Sequence, residues 1–159
     1  MTLPRVTVAE ANSVAERTEH EEFRARWADA GDRLLYAADH DLDWDAERYV
    51  LIARDGRTTG LSAIVGSATG WHIGGVAKIT DLLVAPSSRR SGIARAIVEA
   101  FEKRAYEARC HRTHAVTVAG SEAEKFWMAM GWVVSARLPD HYFRREHVVL
   151  TKVLLPDRR

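Results

Sequence analysis

The chain holds one cysteine, Cys110, in 159 residues. That excludes an intramolecular disulfide and suits a reducing compartment. No apolar run approaches the roughly 18 residues that span a bilayer. Met1–Val8 lacks the apolar core of a secretory signal. A cytoplasmic chain with no membrane partner is therefore expected. Long basic runs are missing too, and the net charge is only +1, so nucleic acid is not an expected partner. The seven histidines are scattered; His111 and His114 are the closest pair, without accompanying ligands, so no metal site is expected. Repeats, low-complexity stretches and linkers are also missing. Residues 1–159 read as one domain. Neither the P-loop pattern nor the dinucleotide Gly-x-Gly-x-x-Gly is present.

What is present suffices for a packed core: 47% hydrophobic and 28% charged residues. Charge is divided unevenly. Residues 1–48 hold 12 acids and 6 bases; residues 49–159 hold 10 acids and 17 bases. In the acidic part Asp39, Asp41, Asp43 and Asp45 recur at every second position. A solvated loop is the favoured reading, and an acidic rim that draws a cationic amine is the sharper one.

Val6–Ala11 reads as a strand. Thr18 can cap a helix to Ala30, with Gly31 as its stop and a second helix over Arg33–Ala38. Tyr49–Arg54 and Thr59–Ser67 read as strands about an Asp55-Gly56 hairpin turn. Gly70, Gly74 and Gly75 mark a second turn around Trp71-His72-Ile73. Val76–Val84 follows as a strand. Ile93, Ile97, Ala100, Phe101, Ala105 and Ala108 line one face of a helix to about Cys110. His114–Val118 alternates as a strand. Ser121 caps a short helix that Gly131 ends. Val133–Ala136 and His147–Leu154 are the last strands, joined by a long excursion. The order suits an α/β fold: a mixed sheet with helices on both faces.

The most informative stretch is Leu82-Leu83-Val84-Ala85-Pro86-Ser87-Ser88-Arg89-Arg90-Ser91-Gly92-Ile93-Ala94. Pro86 stops a strand, because it has no N–H for a ladder. A polar loop with two arginines follows, and Gly92 opens a helix. The first N–H groups of a helix lack intrahelical partners, and its dipole favours an anion there. Gly92 permits close approach to the main chain, and Arg89 and Arg90 supply positive charge. This arrangement suits a diphosphate.

Arg89-x-x-Gly92-x-Ala94 resembles the acyl-CoA loop of the GNAT N-acetyltransferase superfamily. Ala123-x-x-Phe126-Trp127-x-x-x-Gly131-Trp132 is similar to that family's Ala-x-x-Phe-Tyr-x-x-x-Gly-Phe segment. The resemblance covers roughly residues 49–154. It implies a mostly antiparallel central sheet with a V-shaped split. It implies acetyl-CoA as cosubstrate, held by Leu82, Leu83 and Val84 along the split and by Arg89, Arg90, Ser91, Gly92, Ile93 and Ala94 at the loop. Phe126 and Trp127 would close the groove. The expected activity is direct acetyl transfer in a ternary complex to a primary amine, either a small molecule or a peptide. A homodimer is compatible with it.

The catalytic groups are less plain. Thr80 stands where relatives often carry Glu, and Asp81 comes next. Alternation sends neighbouring strand residues to opposite faces, so Asp81 is not a simple replacement; it could act through a water or order the strand end. Trp127 replaces the family tyrosine, and an indole is no acid at working pH. Tyr142, beside His141, is the next candidate acid. These departures keep a second reading open, an acyl-CoA-binding regulatory module with little turnover.

Overall fold

The computed structural model describes residues 9–36, 46–57 and 63–154, with backbone alone at 29–34 and 36. Two compact units divide the chain, Met1–Leu42 and Asp43–Arg159. The acidic tetrad at 39–45 lies outside the described residues, as does the first half of the predicted first strand, residues 6–8. Its other half, residues 9–11, is irregular.

Among its described residues the first unit contains one helix, α1 (Val14–Tyr36). It begins earlier than Thr18 because Ser13 and Glu16 form the capping pair. The Glu16 N–H donates to Ser13 Oγ (3.1 Å) and the Ser13 N–H to Glu16 Oε2 (2.8 Å). Thr18 is interior and donates its hydroxyl to the Val14 carbonyl. Gly31 does not stop the helix, so the two predicted helices are one. An interior glycine costs only about 1 kcal/mol against alanine, which the rest of a long helix can absorb.

The second unit is a six-stranded mixed sheet: β1 (Glu47–Arg54), β2 (Ile64–Ile73), β3 (Val76–Val84), β4 (Arg112–Val118), β5 (Val133–Leu138) and β6 (His147–Val153). Their spatial order is β1-β2-β3-β4-β6-β5. Only β3 and β4 run parallel; the other neighbours are antiparallel. The helix α2 (Ile93–Glu107) makes the parallel crossover, and α3 (Glu122–Ala129) joins β4 to β5.

The predicted turn at Trp71–Ile73 is instead the end of β2, and the reversal falls at Gly74-Gly75. Gly66 and Gly70 are strand residues used for close approach. A Cβ at Gly66 would come within 2.8 Å of Ile93, and one at Gly70 within 2.8 Å of the Lys78 carbonyl. Helix α2 can therefore sit directly on the sheet.

One core serves both helices. Phe101 of α2, Trp127 of α3, Trp132 and the inward strand residues Ala77, Ala115, Val148 and Leu150 form one buried cluster. Each large apolar side chain fully buried there contributes about 1.5–3 kcal/mol. Glu102, off the apolar stripe in sequence, is also drawn in. It accepts from Trp132 Nε1 (2.8 Å) and from Lys152 Nζ (2.7 Å), tying α2 to β6. A carboxylate so paired avoids the cost of an isolated buried charge.

Candidate active site

The site begins where β3 and β4 part. They pair only from Val76–Lys78 to Arg112–His114. Beyond that, β3 stays with β2 up to Val84, and β4 stays with β6 up to Val118. Sheet twist turns the two pairs apart. Between them lies a cavity of about 230 Å³, lined by Thr80, Asp81 and Leu82 of β3, Val116 and Thr117 of β4, and Trp127 of α3.

Main-chain direction along this edge follows from one bond. The Ala85 N–H donates to the Val65 carbonyl of the β2 side (2.9 Å). Successive residues of a strand direct their N–H and C=O groups to opposite sides. Val84 and Leu82 therefore face the split, while Leu83 spends its backbone on β2. The Val84 carbonyl takes the Arg89 Nε–H (3.3 Å), which folds the basic loop back over the strand end. The Val84 N–H remains aimed into the split.

The loop itself is tightly built. Pro86–Ser88 is a 3₁₀ turn, and Ser91 Oγ donates to the Ser88 carbonyl. Arg90 is left-handed at φ 62°. Gly92 is the N-cap of α2 at φ 85° and contributes no side-chain cap. The first amides of α2 thus stay open at the end of a 15-residue helix. A Cβ on Gly92 would meet nothing within 4 Å, so space lies in front of the loop. Arg90 also reaches the start of α3 electrostatically. Glu122 sits below the usual carboxylate range, first because of Lys125 and then with help from Arg90. Open amides, two guanidinium groups and free space fit the diphosphate of a CoA ester, and the split fits its extended arm.

A bulge changes the reading of Thr80 and Asp81. Thr69 pairs with Asp81 and Gly70 with Ile79, so Thr80 is the extra residue. Asp81 shares the face of its register partner Thr69. Thr80 is drawn to that same face: its Oγ1 lies 2.8 Å from Thr69 Oγ1. Simple alternation would have separated the two side chains, but the bulge brings them together on the face away from α2. Nothing in the local residue pattern marks this irregularity.

On the other wall, Ser121 caps α3 by accepting from the Glu124 N–H (3.2 Å). Glu124 in turn accepts from the Gly120 N–H. This anchored first turn sets Phe126 and Trp127. Trp127 is buried, tilted against Trp132 at 4.6 Å and edge-on to Phe126 at 5.4 Å. It closes the inner end of the cavity as packing, not as a proton donor.

Tyr142 lies in the β5–β6 loop, at the end of the sheet where β3 and β4 terminate. Its ring is T-shaped to the buried His147 (5.5 Å) and lies 4.2 Å from the His141 ring, and the residue as a whole is 61% exposed. His147 pairs with Val118, one residue beyond Thr117 of the cavity wall. The loop is held in an uncommon shape, with Asp140, Phe143 and Arg144 all at positive φ. Tyr142 and Asp81 thus stand on opposite sides of the split, on elements that end at the same edge.

Cys110 is distant in role. It is fully buried just past α2, and burial pushes its thiol up. A protonated, inaccessible thiol is no nucleophile. Cys110→Ala should retain kcat within a few-fold, checked by release of CoA thiol; a collapse of kcat in a folded variant would reinstate an acyl-cysteine route.

Among the described residues no group of His, Cys, Asp and Glu could hold a metal ion. No described helix is long and apolar enough to cross a membrane.

Comparison with known proteins agrees with this geometry. An acetyltransferase from Bacillus cereus superposes with a TM-score of 0.70 at 17% identity, over 93% of this chain and 98% of that one. A chain of the NatC complex bound to Gag peptide and CoA matches at 0.59 and 16%, over 93% and 84%. The spermidine/spermine N-acetyltransferase SpeG from Vibrio cholerae matches at 0.58 and 14%, over 79% and 76%. At these identities the likeness shows the fold. Comparison with curated protein sequences finds no match. The family model for the acetyltransferase (GNAT) family matches residues 14–132. That match spans the basic loop, the split and the Phe126-Trp127 helix alike, and the chain is a member of the GNAT acetyltransferase family, an acyltransferase.

Proposed function

We propose that this protein transfers an acetyl group from acetyl-CoA to a primary amine by direct attack in a ternary complex. The observation that carries the reading is the parting of β3 from β4 directly below the arginine–glycine loop. When bound, acetyl-CoA would supply an activated acyl thioester. Arg89, Arg90 and the amides from Ser91 to Ala94 would hold its diphosphate. Leu82 and Val84 would pair with its arm, while Leu83, Phe126 and Trp127 wall the groove. The Val84 N–H is the donor placed to stabilise oxyanion character on the thioester carbonyl. Asp81 offers a negative charge on the acceptor side, suited to an ammonium or to a water hydrogen-bonded to it. Tyr142 supplies a hydroxyl that can return a proton to the departing thiolate.

The acceptor is either a small-molecule amine or a peptide amine; a spermidine/spermine N-acetyltransferase and a complex bound to a peptide both occur among the structural neighbours. The test is calorimetric titration with acetyl-CoA, followed by release of CoA thiol across a panel of primary amines. Absence of acetyl-CoA binding by the wild-type chain would sink the assignment. Arg90→Ala should weaken acetyl-CoA binding by about 1.5–3 kcal/mol, the worth of a charged hydrogen bond. An unchanged Kd would confine Arg90 to its electrostatic role beside Glu122.

A further inference from the structure

Lys78 is the last β3 residue paired to β4, so it marks the closed end of the split. Its neighbours Ala77 and Ile79 are buried in the helix-side core, and its side chain leaves the sheet on the opposite face. That is the face on which the bulge places Thr80 and Asp81. Register sets the spacing. Lys78 pairs with Trp71 and Asp81 with Thr69, two residues apart on β2, a rise of about 7 Å. A cation and an anion thus stand on one face of one strand. The cation is at the closed end of the split; the anion is further along its wall, where Asp81 lines the cavity.

Neither charge is used internally. Among the described residues the side chains of Lys78 and Asp81 make no hydrogen bond or ion pair, with each other or elsewhere. Asp81 is exposed. Lys78 Nζ is not among the buried unpartnered atoms, unlike Nε2 of the adjacent His114, so the ammonium is open to solvent where the imidazole is sealed. Nζ lies 5.9 Å from the Trp71 ring centre, a cation–π contact that steadies a long side chain. The hydroxyls between the two charges are spent on each other: Thr80 Oγ1 donates to the Thr69 carbonyl (3.1 Å) and lies 2.8 Å from Thr69 Oγ1. Burial, then the Lys78 charge, hold His114 below the ordinary histidine range, so it adds no second cation at pH 7. The other cations of this face stand further off: Arg48 is on β1, two strands away, and Arg112 pairs with Val76, two residues back from Lys78.

Two free charges of opposite sign at a fixed spacing complement a zwitterion. We infer that the acceptor is a free α-amino acid, its ammonium held at Asp81 and its carboxylate at Lys78. Two charge-assisted hydrogen bonds of about 2.8 Å each, joined by a single carbon, suit rows this far apart. A dipeptide sets its terminal charges about 3.5 Å further apart and overshoots. The products are an N-acetyl amino acid and CoA thiol. The C–N bond forms and the thioester C–S bond breaks; the ammonium gives up two protons, one to the departing thiolate and one to solvent. Lys78 touches no reacting atom and acts on specificity alone. This rests on the amine-acetylation reading above.

The test measures CoA thiol release by the full chain at saturating acetyl-CoA, with a set of L-α-amino acids, each beside its α-carboxamide and its glycyl dipeptide. For the preferred side chain, wild-type kcat/KM should favour the free amino acid over the other two. Lys78→Met should lower the amino acid to carboxamide ratio by about 10- to 100-fold, the scale of one charge-assisted hydrogen bond. The different amine pKa values of the two substrates cancel when the variant is compared with wild type. Lys78→Arg should keep most of the ratio, and acetyl-CoA Kd should stay within twofold in both variants. Arg48→Met removes the same charge two strands away and should leave the ratio within twofold. A wild-type preference for carboxamides or peptides across the set overturns the inference without any variant. It is equally overturned if Lys78→Met leaves the ratio within twofold, or if Arg48→Met lowers it as much. A wild-type chain that binds no acetyl-CoA, or turns over no amine of any kind, instead removes the transferase reading on which the inference rests.

Discussion

Gly92→Leu should reduce acetyl-CoA binding by at least about 100-fold. Gly92 stands at φ 85°, and the space in front of it is open. A leucine side chain would occupy the place proposed for the diphosphate, in front of the first amides of α2. Losing two charge-assisted hydrogen bonds of about 1.5–3 kcal/mol each gives about 3–6 kcal/mol, or 10²–10⁴ in Kd. A left-handed non-glycine residue also costs about 1–2 kcal/mol of stability. Gly92→Ala pays that same backbone cost without the bulk, so the two variants together separate strain from obstruction. Calorimetry on both, with circular dichroism to verify folding, makes the comparison. A folded Leu variant with the wild-type Kd would place the diphosphate elsewhere.

The second large effect is expected on the rate and not on cofactor binding. Tyr142→Phe removes one hydroxyl and keeps the ring that packs on His141 and His147. If that hydroxyl returns a proton to the thiolate, kcat should fall by roughly 10²–10⁴, the usual scale of general-acid help. The acetyl-CoA Kd should stay the same, because the Arg89–Ala94 loop is untouched. A Phe variant with kcat within a few-fold of wild type would mean that the thiolate leaves unaided. Trp127 cannot take over, since its ring is committed to the core against Trp132.

Apart from β2, which runs six residues beyond the expected end at Ser67, the regular elements of the second unit were legible to within a few residues. Val76–Val84 coincides with β3, and Ser121 caps α3 as its sequence context suggests. Both cases rest on local chemistry: a proline stop in one, a hydroxyl acceptor in the other. The failures have physical causes as well. Gly31 and Gly70 read as breaks, yet one lies within α1 and the other lets Tyr49, Phe101 and β3 approach β2. A glycine reports backbone permissiveness, and only its neighbours in space decide how that is used.

The same division holds for the site. The order of residues by itself determined the arginine–glycine loop between a strand and a helix start, because proline, arginines, glycine and a helix start act through contacts a few residues apart. It determined the family for the same reason. Which backbone groups face the split, and that Thr80 and Asp81 share a face, depended on register and on a bulge between two strands. These are long-range pairings, set by how twisted strands and two helices share one core, and no local residue pattern encodes them.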